Sequence, residues 1–160
     1  MPNGENDMKR IEIGFAVLLM STVALAVDPM VYWHLDRVVD SRTIRIRNDQ
    51  GEQATVILAC VGTAGAETKA THFIGERLKD KKLTFYPLNT SETNWMSRPM
   101  CLFIHETDPE HHGSIETVYH LPMLNEELIA RGYVAFKDVE VPYDQFGLRA
   151  RLYRANANRK

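Results

Sequence analysis

Hydrophobic and polar residues follow strand-like patterns in several stretches of the chain. Over residues 43–47 isoleucines alternate with polar side chains, which is the period-two pattern of a half-buried strand. Residues 48–51 then supply a turn that ends in glycine. Residues 54–61 form a nearly continuous apolar run, which indicates a strand buried on both faces. Residues 83–86 and 100–105 predict two further strands.

Helical spacing of apolar residues appears between and after these strands. It predicts a first helix over the segment that contains Ala66, Ala70, Phe73, Ile74 and Leu78. A second helix is predicted over 124–131, where Gly132 occupies the position at which helices commonly stop. A third is predicted over 143–155. Periodicity alone therefore indicates a small α+β domain.

The N-terminal segment carries the longest apolar run of the chain, over residues 13–27. A spanning helix needs roughly 20 apolar residues, so the run is short for that role. One interpretation is a retained anchor; the predicted anchor side chains are Ile13, Phe15, Leu18, Leu19, Val23 and Leu25, with Trp33 at the membrane interface. The other is a signal peptide cleaved near Ala26.

Both interpretations of the N-terminal segment give the same topology. Lys9 and Arg10 precede the apolar run, and positive residues hold their flank in the cytoplasm. The remainder of the chain is therefore expected on the periplasmic or extracytoplasmic side. Neighbouring helices can cover a short anchor, and a retained single-pass anchor is the interpretation that we adopt.

Composition and charge narrow the function classes. The chain has 160 residues, which suits one compact domain plus an appendage. Its formal charge of −2 argues against a dominant nucleic-acid-binding surface. A local basic bias follows Gln145, where the cations are Arg149, Arg151, Arg154, Arg159 and Lys160. They either complement the dipole of their own helix or form an interaction tail for acidic lipid or an acidic protein face.

Cysteines and histidines are candidate sources of chemistry. Cys60 and Cys101 are too few for a disulfide framework; buried thiols are the expectation, and a single bridge remains open in an oxidising compartment. The segment 106–122 holds His111, His112 and His120 with several carboxylates, and His105 precedes it. A transition-metal site is an open alternative. An exposed polar hairpin that serves as a docking element is the interpretation that we adopt.

Two stretches resemble the staphylococcal-nuclease-like family. Residues 38–46 read VVDSRTIRI, and residues 124–134 read LNEELIARGYV. The first resembles the family's opening Asp-Gly-Asp-Thr signature, and the second its asparagine–glutamate helix with the strand entry after it. The resemblance implies an α+β fold with an OB-type five-stranded barrel and two to three appended helices, preceded here by one N-terminal hydrophobic helix.

The hydropathy pattern, the charges and the resemblance together predict a division of the chain. The expected parts are a cytoplasmic flank (1–10), a membrane anchor or signal peptide (11–27), a linker (28–36), the nuclease-like OB-type domain (37–155) and a basic tail (156–160).

The residues that the family uses for catalysis are mostly replaced. In the family, Ca²⁺ lies between aspartates and polarises a phosphodiester, while arginines neutralise developing charge and a glutamate assists water. The resemblance carries the first aspartate onto Asp40 but the second onto Arg42, whose cation would repel Ca²⁺. One arginine position falls on Ile57. The other arginine position falls on Arg98. Asp40 and Arg98 are therefore the vestigial matches.

The remaining catalytic motif falls on residues 61–65. Its metal-ligand aspartate corresponds to Gly62 and its catalytic glutamate to Gly65; Glu67 could take the glutamate's place only through a shift of two residues. Residues that are kept have structural explanations, since Asn125 and Glu126 are expected to cap and charge the start of a helix.

These replacements predict a non-catalytic, membrane-tethered nuclease-like domain. It would act as an accessory or structural subunit of a larger respiratory, photosynthetic or envelope complex. Its expected partners are other subunits of that complex and membrane lipid, without nucleic acid, metal or cofactor. The candidate partner-binding residues are His111, His112, Arg149, Arg151 and Arg154. The alternatives are a secreted or periplasmic OB-type module that binds oligonucleotide, oligosaccharide or peptide, and a residual nuclease.

Overall fold

A computed structural model describes residues 31–88, 99–106, 119–139 and 147–160. The predicted anchor, Arg98, His111 and His112 lie outside these residues. Within them, no helix is both long enough and apolar enough to cross a membrane.

Five strands close into one barrel. They are β1 (Trp33–Val38), β2 (Thr43–Asn48), β3 (Gln53–Leu58), β4 (Lys82–Pro87) and β5 (Pro99–His105). Their order around the barrel is β1-β2-β3-β5-β4, with β1 closing against β4. The β3–β5 pair is parallel and the other pairs are antiparallel. This mixed barrel confirms the expectation of an α+β barrel.

Three helices accompany the barrel in the described residues: α1 (Glu67–Leu78), α2 (Leu124–Ala130) and α3 (Leu148–Ala157). The first two confirm the periodicity. The third begins at Leu148, whereas the prediction began at 143. Gly132 ends α2 as expected, since its φ of 67° lies in the left-handed region and its N–H donates to the Ile129 carbonyl at 3.0 Å.

The core follows the predicted alternation. Ile44 and Ile46 are fully buried in β2, whereas Arg47 is exposed. β5 contributes an almost completely buried run over 100–104, and α2 packs against this strand. Phe103 is among the largest fully buried side chains.

The barrel begins earlier in the chain than the sequence suggested. β1 starts at Trp33, so it crosses the predicted boundary between a linker over 28–36 and a domain that starts at 37. Trp33 is only 7% exposed, and its ring packs against Phe85 with centroids 5.7 Å apart. This residue therefore belongs to the barrel core and not to a membrane interface, which corrects its assignment as an anchor side chain.

Asn125 fastens α2 to the barrel. The residue is completely buried, and its Nδ2 donates to the carbonyls of Ala59 and Met100, each at 2.9 Å. Its Oδ1 accepts from the Leu102 N–H at 2.9 Å. The expectation of a helix cap was wrong, because the N-cap residue of α2 is Met123 and no side chain caps it. Asn125 instead satisfies the backbone of β5 and of the turn after β3.

Candidate functional site

A pocket lies where the resemblance places the nuclease centre. Its volume is about 470 Å³. We call it the Arg42 pocket, and it is lined by Asp40, Ser41, Arg42, Thr43, Ile57, Thr63 and Glu67. The loop between β1 and β2, the end of β3 and the start of α1 supply these residues.

The first carboxylate of the Arg42 pocket holds a tight turn. Asp40 Oδ1 accepts the backbone N–H of Arg42 at 2.7 Å. The N–H groups of Val39 and Asp40 both donate to the Thr43 carbonyl, at 2.9 and 3.1 Å. A short side-chain acceptor two residues before the donor is the geometry of an Asx turn. Asp40 thus stabilises the connection between β1 and β2.

The second carboxylate joins that turn to a helix. Glu67 is the first residue of α1, and its Oε1 accepts the backbone N–H of Ser41. Ser41 is buried, so this bond satisfies a donor that would otherwise be costly to leave unpaired. Sequence reasoning treated Glu67 only as a displaced catalytic glutamate. Its place in the first turn of a predicted helix gave no sign of the contact with Ser41.

Arg42 brings a cation into the same pocket. Its Nε is buried and has no hydrogen-bond partner among the residues that the structure describes. A positive group at this place opposes the binding of a divalent cation. Over the described ranges, no group of three or more His, Cys, Asp or Glu residues is arranged to hold a metal ion.

The space beside the Gly62 Cα atom is occupied by the backbone of Ala135. The Gly62 N–H donates to the Ala135 carbonyl at 2.8 Å, and the Ala135 N–H donates to the Thr63 carbonyl at 3.2 Å. A Cβ atom at position 62 would lie 3.0 Å from the Ala135 oxygen and 3.3 Å from its Cβ. At Gly65, by contrast, a Cβ would meet nothing within 4 Å. Only the first of the two glycines is therefore required by packing.

Two of the predicted partner-binding arginines are used within the domain. The Arg151 side chain is 11% exposed and pairs with Glu126, and its guanidinium also donates to the Tyr119 carbonyl. Arg149 pairs with Asp138 at 3.0 Å. Both side chains therefore make contacts within the domain, and their binding to a partner stays a prediction. Arg154 is exposed.

Tyr153 completes the surface network around Arg149. The guanidinium carbon lies 5.1 Å from the centre of the Tyr153 ring, and Arg149 Nη2 donates to the hydroxyl at 3.2 Å. A hydrogen bond with Tyr153, and then the Arg149 guanidinium, lower the pKa of Asp138.

The predicted tail over 156–160 also returns to the domain, since the Lys160 N–H donates to the Ala130 carbonyl at 3.1 Å.

A network of ion pairs at the C-terminal end of α1 was not predicted from the sequence. Arg77 pairs with Glu127 at 2.8 Å and with Glu106 at 2.5 Å, and Lys81 also reaches Glu106 at 2.9 Å. The bonds from Arg77 and Lys81 lower the pKa of Glu106. These partners lie up to 50 residues apart in the chain, so no local pattern predicted them.

His105, His120 and the two cysteines make contacts within the domain. His105 contacts the edge of the Tyr32 ring, with centroids 5.1 Å apart, and burial followed by the Lys82 charge lowers its pKa. His120 packs at the edge of Tyr119. Cys60 and Cys101 are buried thiols, which confirms the expectation for both.

No family model matches the chain, and no curated protein matches it either.

Proposed function

We propose that this chain is a non-catalytic nuclease-like domain, tethered to a membrane, that acts as an accessory or structural subunit of a larger membrane complex on the extracytoplasmic side. The observation that carries the proposal is the use of the Arg42 pocket. Each carboxylate that lines it accepts a backbone N–H, and a guanidinium stands where the resemblance expects a metal ligand. The carboxylates of the pocket thus stabilise the loop between β1 and β2.

The pairing between residues 60–63 and 135–137 adds a second argument. An aspartate at position 62 would have to displace the Ala135 backbone, because a Cβ cannot approach an oxygen closely without a shift. The Lys137 N–H also donates to the Cys60 carbonyl at 2.9 Å. A carboxylate at position 62 would therefore come at the expense of this backbone pairing.

The barrel topology supports the assignment of an OB-type fold within this proposal. β5 lies between β3 and β4 in the closed sheet, which is an order expected for a five-stranded Greek-key barrel. The α1 helix falls between β3 and β4 in the chain. The tether is proposed from the sequence alone, on the apolar run over 13–27 and the preceding Lys9 and Arg10.

Purification from native membranes tests the proposal. The full-length chain with a C-terminal tag is extracted in mild detergent, and the intact mass of the recovered protein is measured together with its partners. We expect stoichiometric recovery with a membrane complex and with residues 1–27 still attached. Recovery as a free soluble species that starts near Val27 would overturn the proposal.

Matched variants in the apolar run sharpen this experiment. Leu19→Arg places a charge inside the proposed anchor and is expected to abolish membrane retention, because a charge at the centre of a spanning helix costs about 3 kcal/mol. Ser21→Ala removes a polar group from the same run and is expected to leave retention unchanged. Equal retention of both variants would contradict the anchor.

A further inference from the structure

A shallow aromatic groove lies along the exposed face of α1 and shares no lining residue with the Arg42 pocket. Its volume is about 410 Å³. We call it the Phe73 groove, and it is lined by Thr68, Lys69, His72, Phe73, Glu76 and Tyr133. The rings of Phe73 and Tyr133 lie 5.2 Å apart and are tilted by 58°. Both side chains are only partly buried, so the groove offers apolar surface to a ligand.

Three exposed cations surround this aromatic pair. The Arg131 guanidinium lies 4.9 Å from the centre of the Phe73 ring. Lys69 precedes Phe73 by one helical turn, and residues at this spacing share a face of the helix. Arg159 is held nearby, because its Nη2 donates to the Gly132 carbonyl at 3.4 Å. Lys69 thus lines the groove, Arg131 contacts its Phe73 ring, and Arg159 lies beside the residue that precedes Tyr133.

Ion pairing distinguishes these cations from three other arginines of the domain. Arg77, Arg149 and Arg151 each form an ion pair. Over the described part of the chain, no ion pair is formed by Lys69, Arg131 or Arg159. Glu76 is the single acid that lines the groove. Lys69 and the Arg131 that contacts Phe73 therefore outweigh Glu76 by one positive charge, although the chain as a whole carries −2.

We propose that the Phe73 groove docks an acidic segment of a partner subunit that also carries an apolar side chain, an inference that rests on the proposed accessory role. The apolar side chain would lie against Phe73 and Tyr133, while carboxylates of the segment pair with Lys69 and Arg131. Aromatic and arginine side chains dominate the energetics of protein interfaces, and complementary charge fixes orientation and excludes other partners.

Photocrosslinking in the native complex tests the docking site. A benzophenone amino acid replaces Tyr133 in the full-length chain, and the same residue placed at the exposed Thr55 on β3 is the control. Both forms are expressed in the native membrane, irradiated, purified in mild detergent and analysed by mass spectrometry. We expect position 133 to crosslink to a partner segment that contains Asp or Glu beside apolar residues, and position 55 not to crosslink to that segment.

Charge reversal identifies the contribution of Lys69 and Arg131. The double variant Lys69→Glu/Arg131→Glu is expected to lower the crosslinking yield at position 133 by roughly tenfold. Arg47→Glu, a reversal at an exposed site on β2, is expected to leave the yield unchanged. Circular dichroism checks that both variants remain folded.

The outcomes separate this inference from the proposed function. If the wild-type chain recovers no partner, the accessory role fails and the docking site fails with it. If the partner is recovered but position 133 crosslinks to lipid, nucleic acid or a basic segment, only the docking site is overturned. An undiminished crosslink in the folded double-reversal variant would overturn it in the same way.

Discussion

Asn125 and Arg42 are polar residues in the two stretches that resemble a nuclease, and their side chains are satisfied to very different degrees. The Asn125 amide is completely buried and has three backbone partners drawn from β5 and the turn after β3. Arg42 Nε is also buried, but it has no partner among the described residues. The first side chain binds α2 to the barrel, whereas the Nε of the second makes no hydrogen bond within the described residues.

The contrast predicts where the domain tolerates substitution. Removal of a buried group that has several partners leaves each of those partners unsatisfied, which costs more than the bonds themselves. Removal of an unpaired buried group leaves nothing unsatisfied. We therefore expect substitutions at the junction between α2 and the barrel to destabilise the domain, and substitutions in the Arg42 pocket to be tolerated.

Asn125→Ala is expected to have the largest effect. It leaves the Leu102 N–H and the carbonyls of Ala59 and Met100 without their side-chain partner, so the free energy of unfolding should fall by about 3 kcal/mol. Urea unfolding of the full-length chain in mild detergent measures the change. Asn158→Ala, at an exposed position at the end of α3, is the matched control and should stay within about 0.5 kcal/mol. A loss below about 1 kcal/mol at Asn125 would remove the contrast between the two regions.

Gly62→Ala is expected to have the next largest effect. The added Cβ meets the Ala135 carbonyl oxygen at 3.0 Å, and the resulting shift in backbone pairing should lower the free energy of unfolding by about 2 kcal/mol. Gly65→Ala, three residues later in an open position, should change it by no more than about 0.5 kcal/mol. Equal stability of the two variants in the same urea titration would show that the backbone contact at Gly62 does not restrict side chains.

Arg151→Ala tests whether the C-terminal helix is part of the fold. The substitution removes the pair with Glu126 and the bond to the Tyr119 carbonyl, so the midpoint of thermal unfolding should drop with a loss of about 1.5 kcal/mol. Arg154→Ala, on the exposed side of α3, should be within about 0.5 kcal/mol of wild type. If both variants lost stability equally, the distinction between the internal and the exposed arginine would be wrong.

Arg42→Leu is expected to have the smallest effect, and in the opposite direction. Leucine removes a buried nitrogen that lacks a partner in the described residues while it keeps much of the apolar side chain. The free energy of unfolding should stay the same or rise by up to about 1 kcal/mol. A clear loss of stability in the urea titration would mean that the Arg42 pocket depends on its guanidinium.

Local patterns predicted most of the barrel and its helices. The alternation over 43–47 and the helical spacing over 66–78 both match elements of the structure. β1 was placed partly in a linker, although Trp33 and Leu35 alternate with His34 and Asp36 within the strand. The aromatic residues after the apolar run were read as interfacial, and that interpretation concealed the period-two signal.

Contacts between distant parts of the chain limit how much of the candidate site can be predicted from the sequence. Asn125 was expected to be a helix cap because capping depends only on neighbouring residues, yet its partner Ala59 lies 66 positions away. Arg149 and Arg151 were expected to bind a partner, and their acidic partners within the fold lie 11 and 25 positions away. The charge pattern identifies these arginines in the sequence, but it does not show which acidic residues they pair with.

A nuclease assay on the full-length protein tests the central claim most directly. Hydrolysis of single-stranded and double-stranded DNA is followed in the presence of Ca²⁺, with Arg98→Ala as the control for contaminating enzyme. We predict no turnover above the rate of the Arg98→Ala variant. Calcium-dependent turnover in the wild-type chain that Arg98→Ala abolishes would contradict the account.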